Sequence, residues 1–245
     1  MRFRNLAAII VFGTLTCITA APAQHLSADG ALQTFNFLAD QFFSDVYFHF
    51  APTLGTQAGL HQYDPQLEDY SAADIQKEIA ALHTYEKKVE AIDPSAIDAS
   101  IAADRQILLN NIRSQLLTLE TIRPWEKNPD IYSSGITNSA FVIMERKFAS
   151  TDDRLRSLIA REKLMPSRLQ QARDNLKNPP RIFTEIAIEQ LPGSISFFEH
   201  DVPSAFADAK DLHRDRPRAD RRQHQLLPDR RPLRLPLWHR RRHRR

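Results

Sequence analysis

Cysteine is nearly absent from this 245-residue chain, the one copy being Cys17 in an apolar stretch near the N-terminus. Disulfides therefore cannot staple the rest of the molecule, and its stability has to come from burying apolar area. Glycine is scarce too, with six residues. There is no Asn-Gly hairpin signal and no run of alternating apolar and polar residues, which excludes a sheet-based architecture. No glycine-rich phosphate loop is present, and Gly193-Ser194 lacks the flanking pattern of a Gly-x-Ser-x-Gly nucleophile turn.

Other absences divide the chain in two. After Lys210 there is no Lys, Gly, Ser, Thr, Glu, Val, Ile or Phe, and the stretch from Asp211 to Arg245 is built from eight residue types, with Arg at thirteen positions. Thirteen Arg against four Asp make this tail +9, so a whole-chain charge of +3 leaves −6 for Met1 to Lys210. The basic character belongs to the tail alone, and the acidic body offers no general surface for nucleic acid or anionic membrane. The tail's Arg, Pro, His, Asp, Ala, Leu and Gln can all be encoded by codons rich in cytosine and guanine. A change of reading frame near codon 210 accounts for such an ending, and the segment is expected to be disordered. Binding of a polyanion, nucleic acid or anionic lipid, through Arg240-Arg241-Arg242, Arg244-Arg245 and Trp238 is the alternative. The prolines at 217, 228, 232 and 236 prevent a continuous helix there, and nothing suggests base-specific reading.

At the other end, Arg2 and Arg4 precede an apolar run from Leu6 to Ala20, followed by the small residues Ala21-Pro22-Ala23 before Gln24. This is the pattern of an export signal over residues 1–23, too short for the ~20 apolar residues of a membrane span. The expected location is periplasmic or extracellular, with no transmembrane segment after cleavage. Lipid attachment at Cys17 fits less well, since Thr14-Leu15-Thr16 is a poor lead-in. The roughly 190 residues from Gln24 to Lys210 suffice for one core.

Within that body the pattern is helical. Leu32, Phe35, Leu38, Phe42, Phe43 and Val46 recur at three- and four-residue spacing and predict a helix over 31–50. Ser71 and Asp74 signal the start of a second helix reaching Ile92. Ile101, Leu108, Ile112, Leu116 and Leu119 predict a third, ending before Pro124. Shorter helices are expected over 136–148 and 151–164, the latter capped by Thr151, and Pro166 is placed at the start of another reaching Lys177, closed by Pro179-Pro180. The fold class is all-α, an irregular helical bundle.

Several separated motifs carry a resemblance. Pro52-Thr53, Gly59-Leu60-His61-Gln62-Tyr63-Asp64, Leu67-Glu68-Asp69-Tyr70-Ser71 and Asp104 with Leu108 occur in this order. Trp125 to Tyr132, Arg154-Leu155, Arg161 to Pro166, Asn175-Leu176 and Pro179-Pro180 follow. Over roughly 31–210 the chain resembles the N-terminal half of a bacterial family catalogued as domain of unknown function 885, with Arg154-Leu155 and Arg161 to Pro166 resembling its paired-arginine helix that ends before a proline. The resemblance implies similarity to exported zinc metallopeptidases acting on peptide-like substrates. Their metal motif is His-Glu followed by Pro-Gly-His-His in the C-terminal half, with histidine nitrogens holding zinc and the Glu deprotonating metal-bound water. This sequence has no His-Glu dipeptide. The bundle is therefore expected to be an incomplete domain, inactive alone, with zinc belonging to the full-length family rather than to this fragment.

The body's own histidines, His25, His49, His61, His83 and His200, show no three- or four-residue spacing that would pair them on one helical face. Glu199-His200-Asp201 alone does not make a metal site. His61, Tyr63 and Asp64 remain as substrate-cleft candidates, beside the reading of that segment as a turn in which Asp64 bonds the backbone ahead of Pro65. A non-catalytic helical interaction module is the remaining functional alternative. If the tail is out of frame, translating the gene around codon 210 in all three forward frames will reveal a helical continuation bearing His-Glu and Pro-Gly-His-His. Three frames without that segment refute the frame change.

Overall fold

The computed structural model describes residues 28–209, so the expected export segment with Cys17 and His25, and the Arg-rich tail, lie outside the described residues. Among the described residues the structure is all-α, with no strand. The first predicted helix is observed as α1 (Ala28–Phe42), a π-turn over Phe43–Tyr47 and α2 (Phe48–Phe50). Ala51 leaves helical geometry because Pro52 follows it, and Pro52 then opens α3 (Pro52–Gln57), where its missing N–H is not needed.

The second helix, α4 (Ala72–Glu90), starts as expected: the Ser71 hydroxyl accepts the Asp74 amide, and Asp74 lies at the positive end of the dipole. Asp98 caps α5 (Ala99–Leu116), which runs on as a π-turn over Leu117–Ile122. Arg123 then takes a left-handed φ of 52° and turns the chain into the short α6 (Pro124–Lys127).

The later helices correct three expectations. The helix placed at 136–148 is α7 (Asp130–Glu145), begun earlier because the Asn128 side chain accepts the Asp130 amide. Ser150, not Thr151, caps α8 (Thr151–Asn175), since it is Ser150 that lies three residues before the amide of Asp153. Pro166 does not end that helix or begin another, but sits inside it. A proline in a helix interior forfeits one hydrogen bond at a cost of about 3 kcal/mol. Here Arg161 and Arg168, both buried and tied to other elements on either side of it, hold the axis through the break. The periodicity also did not signal α9 (Arg181–Ser196), which carries Pro192 and Gly193 internally and continues through a π-turn over Phe197–Asp201 into α10 (Val202–Ala205).

Two cores result. Phe35, Leu38, Phe42 and Val46 pack against Ile75, Leu82 and Val89 of α4 and Leu108, Ile112 and Leu116 of α5. Ala140, Val142 and Ile143 of α7 meet Leu155 and Leu158 of α8, with Phe197, Val202 and Phe206 behind them. Tyr63 ties α3 to the first helix: its hydroxyl donates to the Ser44 carbonyl at 3.1 Å, and its ring lies against Gly55.

A methyl group at Gly55 would stand 2.5 Å from Tyr63 Cδ2, inside van der Waals contact. Gly55→Ala is expected to lower stability by about 1–3 kcal/mol in urea unfolding. Tyr63→Leu in the same chain should relieve part of that loss, so strictly additive effects would rule out the contact as its cause.

Candidate functional site

A half-open cavity of about 310 Å³ lies against the first core. Its walls come from Phe50 and Ala51 at the end of α2, Thr53 and Leu54 of α3, Glu68 and Tyr70 of the segment before α4, and Ile75 and Glu78 of α4. Thr118 and Leu119 of the π-turn, Trp125 of α6, Ile131, Gly135 and Asn138 of α7, and Arg168 of α8 complete it. The π-turns that distort both long helices end beside or within this wall. Such local widening re-aims side chains that a regular helix would carry elsewhere.

One face of α8 fixes the most polar wall. Arg168, Gln171 and Asn175 fall at three- and four-residue spacing and grip the segment Glu68-Asp69-Tyr70. Arg168 donates to the Glu68 carbonyl at 2.9 Å, and its guanidinium stacks 3.3 Å from the centroid of the Tyr70 ring. The Gln171 carbonyl oxygen accepts the Tyr70 amide at 2.8 Å, and Asn175 donates to the Tyr70 carbonyl at 2.6 Å and to the Tyr132 hydroxyl at 2.9 Å. The Tyr132 hydroxyl in turn donates to the Trp125 carbonyl. Trp125 is held from the other side by its indole N–H on the Leu119 carbonyl and by Arg123, 5.1 Å from its ring. Burial raises the pKa of both Tyr70 and Tyr132, against the charge of Arg168 and, at Tyr132, first against the hydrogen bond from Asn175, so both hydroxyls stay protonated.

Two carboxyl groups face this space. Glu68 accepts the Thr53 amide at 3.0 Å, a carboxylate at the N-terminal turn of α3, where the helix dipole favours negative charge. Glu78 is pushed up to about 7, chiefly by burial and then by the charge of Asp74 one turn earlier. Near neutral pH it therefore exists in both forms, able to donate or accept. The Thr53 hydroxyl is buried with no hydrogen-bond partner among the described residues.

The residues singled out in the sequence lie elsewhere. His61 Nδ1 is 3.1 Å from Asp64 Oδ2, and the His61 ring stacks on Phe148 with centroids 4.0 Å apart. Asp64 is buried, Tyr63 is committed to Ser44, and none of the three lines the cavity. His83 pairs with Glu120 at 2.9 Å, His200 contacts its own helix at the Ser196 carbonyl, and His49 lies beside Phe50. Among the described residues no group of three or more His, Cys, Asp and Glu side chains could hold a metal ion. The zinc implied by the resemblance does not fit these residues. Glu78 and Asn138 escaped sequence reasoning because both sit on ordinary helix positions. The one available signal was a Glu on the same helical face as Ile75 and Leu82.

Fold and cavity define an all-α protein with a ligand-sized, mixed aromatic and carboxylic pocket beside its first helical core. The chain belongs to the family described as "Bacterial protein of unknown function (DUF885)", whose profile matches residues 52–230. It is also similar to a solved structure described as a putative lipoprotein of unknown function from Shewanella oneidensis, at 26% identity and a TM-score of 0.62. That match covers 74% of this chain and 32% of the other, so the chain spans about a third of the solved protein's length. No curated protein matches. No helix among the described residues is long and apolar enough to cross a membrane.

Because the folded protein holds the Glu78 proton more tightly than the unfolded chain, where the ordinary value near 4.5 applies, stability linked to this group is full below about 4.5 and is lost as pH rises through about 7. Relative to Glu78→Gln, the parent should lose on the order of 1 kcal/mol or more between pH 5 and 8 in urea melts. A parent-to-variant difference that does not change with pH would rule out the buried carboxyl as its source.

Proposed function

We propose that this chain is the N-terminal helical part of an exported DUF885 hydrolase of the zinc-peptidase kind, and that it supplies a wall of the substrate cleft rather than the catalytic centre. The cavity between α4, α7 and α8 carries this reading. It offers aromatic surfaces from Phe50, Tyr70 and Trp125 for apolar side chains of a peptide, and Glu68 and Glu78 for its amine or amide hydrogens. Export is supported by the residue 1–23 pattern and by the likeness to a protein described as a lipoprotein. Location of the reactive centre outside this chain is supported by the lack of any His-Glu dipeptide and by the span of only a third of the solved relative. A change of frame remains our account of the Arg-rich ending. The family match reaches residue 230, twenty positions past Lys210, and counts against a junction as early as 210.

The purified chain is expected to carry no stoichiometric zinc and to show no chelator-sensitive peptide hydrolysis, while binding short peptides saturably in calorimetric titration. Leu54→Trp, at a cavity-lining position 40% exposed and so tolerant of a larger ring, should weaken that binding by about tenfold or more. Tight zinc with chelator-sensitive turnover would refute the placement of the reactive centre. Peptide affinity equal in parent and variant would refute the role of the cavity.

A further inference from the structure

Of the sixteen residues of α9, only Ala187 is buried. Its sequence calls for more cover than that. Ile182 and Ile186 form one stripe, Ile188, Leu191 and Ile195 form another at three- and four-residue spacing, and Phe183 lies between them. The charged side chains Arg181, Glu185 and Glu189 are left with a narrow arc, with Thr184, Gln190 and Ser194 falling among the apolar positions, an arrangement suited to contact on more than one side. Packing on α7 covers one side. The rest is open: Ile182, Ile188 and Ile195 are 57, 60 and 54% exposed. Beside them, between α7, α8 and α9, runs an apolar groove of about 320 Å³ walled by Ile136, Met165, Leu169, Leu191, Ile195 and Phe198.

An apolar groove edged by exposed large side chains such as Leu191 and Ile195 marks a docking site rather than a solvated face. The lengths of the two related chains indicate its occupant. The matched region is 74% of this chain but only 32% of the Shewanella oneidensis protein, so most of that protein lies outside it. The family profile, which runs over 52–230, includes α9 whole. We propose that the groove between α8 and α9 seats an amphipathic helix from the remainder of the DUF885 fold. This rests on the reading of the chain as the N-terminal part of such a fold. The docked helix presents large apolar side chains at three- and four-residue spacing to the groove. Its flank carries Lys or Arg opposite the exposed Glu199, which borders this groove.

The test mixes the full chain with the unmatched portion of the Shewanella oneidensis protein, produced as a separate polypeptide, and follows the mixture by light scattering and calorimetric titration. A one-to-one complex is expected. Leu191→Glu combined with Ile195→Glu should weaken it roughly 30-fold or more. Both positions are open in the isolated chain, so the circular dichroism and melting of the variant should match those of the parent. Ile107→Glu on α5, 66% exposed and outside the groove, should leave the complex unchanged. Absence of a complex, or a complex indifferent to the α9 pair, overturns the proposal. So does a discrete homodimer that the α9 pair dissolves, since a second copy would then be the occupant. Hydrolysis is not the readout: a complex that forms but cleaves nothing counts against the peptidase reading and leaves the docking surface standing.

Discussion

The guanidinium of Arg161 is fully buried, and among the described residues its hydrogen-bond acceptors are neutral. It donates to the Ser139 carbonyl of α7 at 2.6 Å, to the Thr56 hydroxyl of α3 at 2.7 Å, and to the Tyr63 carbonyl at 3.3 Å. Burial lowers its pKa, while Glu68 and Asp64 oppose the shift across space. A buried cation with only neutral acceptors is costly to assemble and costlier to disturb, because loss of any acceptor leaves an unsolvated charge. The α3 turn, the middle of α7 and the centre of α8 are therefore fixed relative to one another by a single side chain.

The other buried arginines extend this logic to helix ends. Arg105 donates to the carbonyls of Val89 and Glu90, the last residues of α4, and Arg154 to those of Ile143 and Met144 near the end of α7. Carbonyls in a last helical turn lack intrahelical donors and carry the negative end of the dipole, so a guanidinium satisfies both needs. Arg168 does the same for the segment before α4 and also stacks on Tyr70. Tied in this way, Arg168 is held in the wall of the cavity that contains Glu68 and Glu78. α9 is held through Ala187, its contacts with α7 and the Ser134 hydroxyl on Gln190, while Ile182, Ile188 and Ile195 stand exposed.

Much of the helical layout was legible from residues that act locally. Ser71 with Asp74, and the stripe from Ile101 to Leu119, marked helix starts and faces because capping and 3.6-residue periodicity are decided within a few residues. Pro166 misled for the converse reason. The local rule, that proline interrupts a helix, was overruled by Arg161 and Arg168, whose partners lie about 100 positions away in the chain. Pro192 and Gly193 hid α9 in the same way. His61 and Asp64 lie together but away from the cavity, where α4, α6 and α7 gather Glu78, Trp125 and Asn138; Trp125 stood in one of the resemblance's motifs, whereas Glu78 and Asn138 carry no mark that sets them apart in sequence.

The sequence by itself determined the all-α class, the caps of the early helices, the absence of a His-Glu dipeptide and the family to which the chain belongs, all of which depend on composition or short-range order. Only the tertiary structure decided that one unbroken α8 serves as spine, that Glu78 titrates near neutral pH, and that α9 turns an apolar face outward. These depend on burial and on hydrogen bonds between residues far apart in the chain, and no local pattern encodes the environment in which a side chain comes to rest.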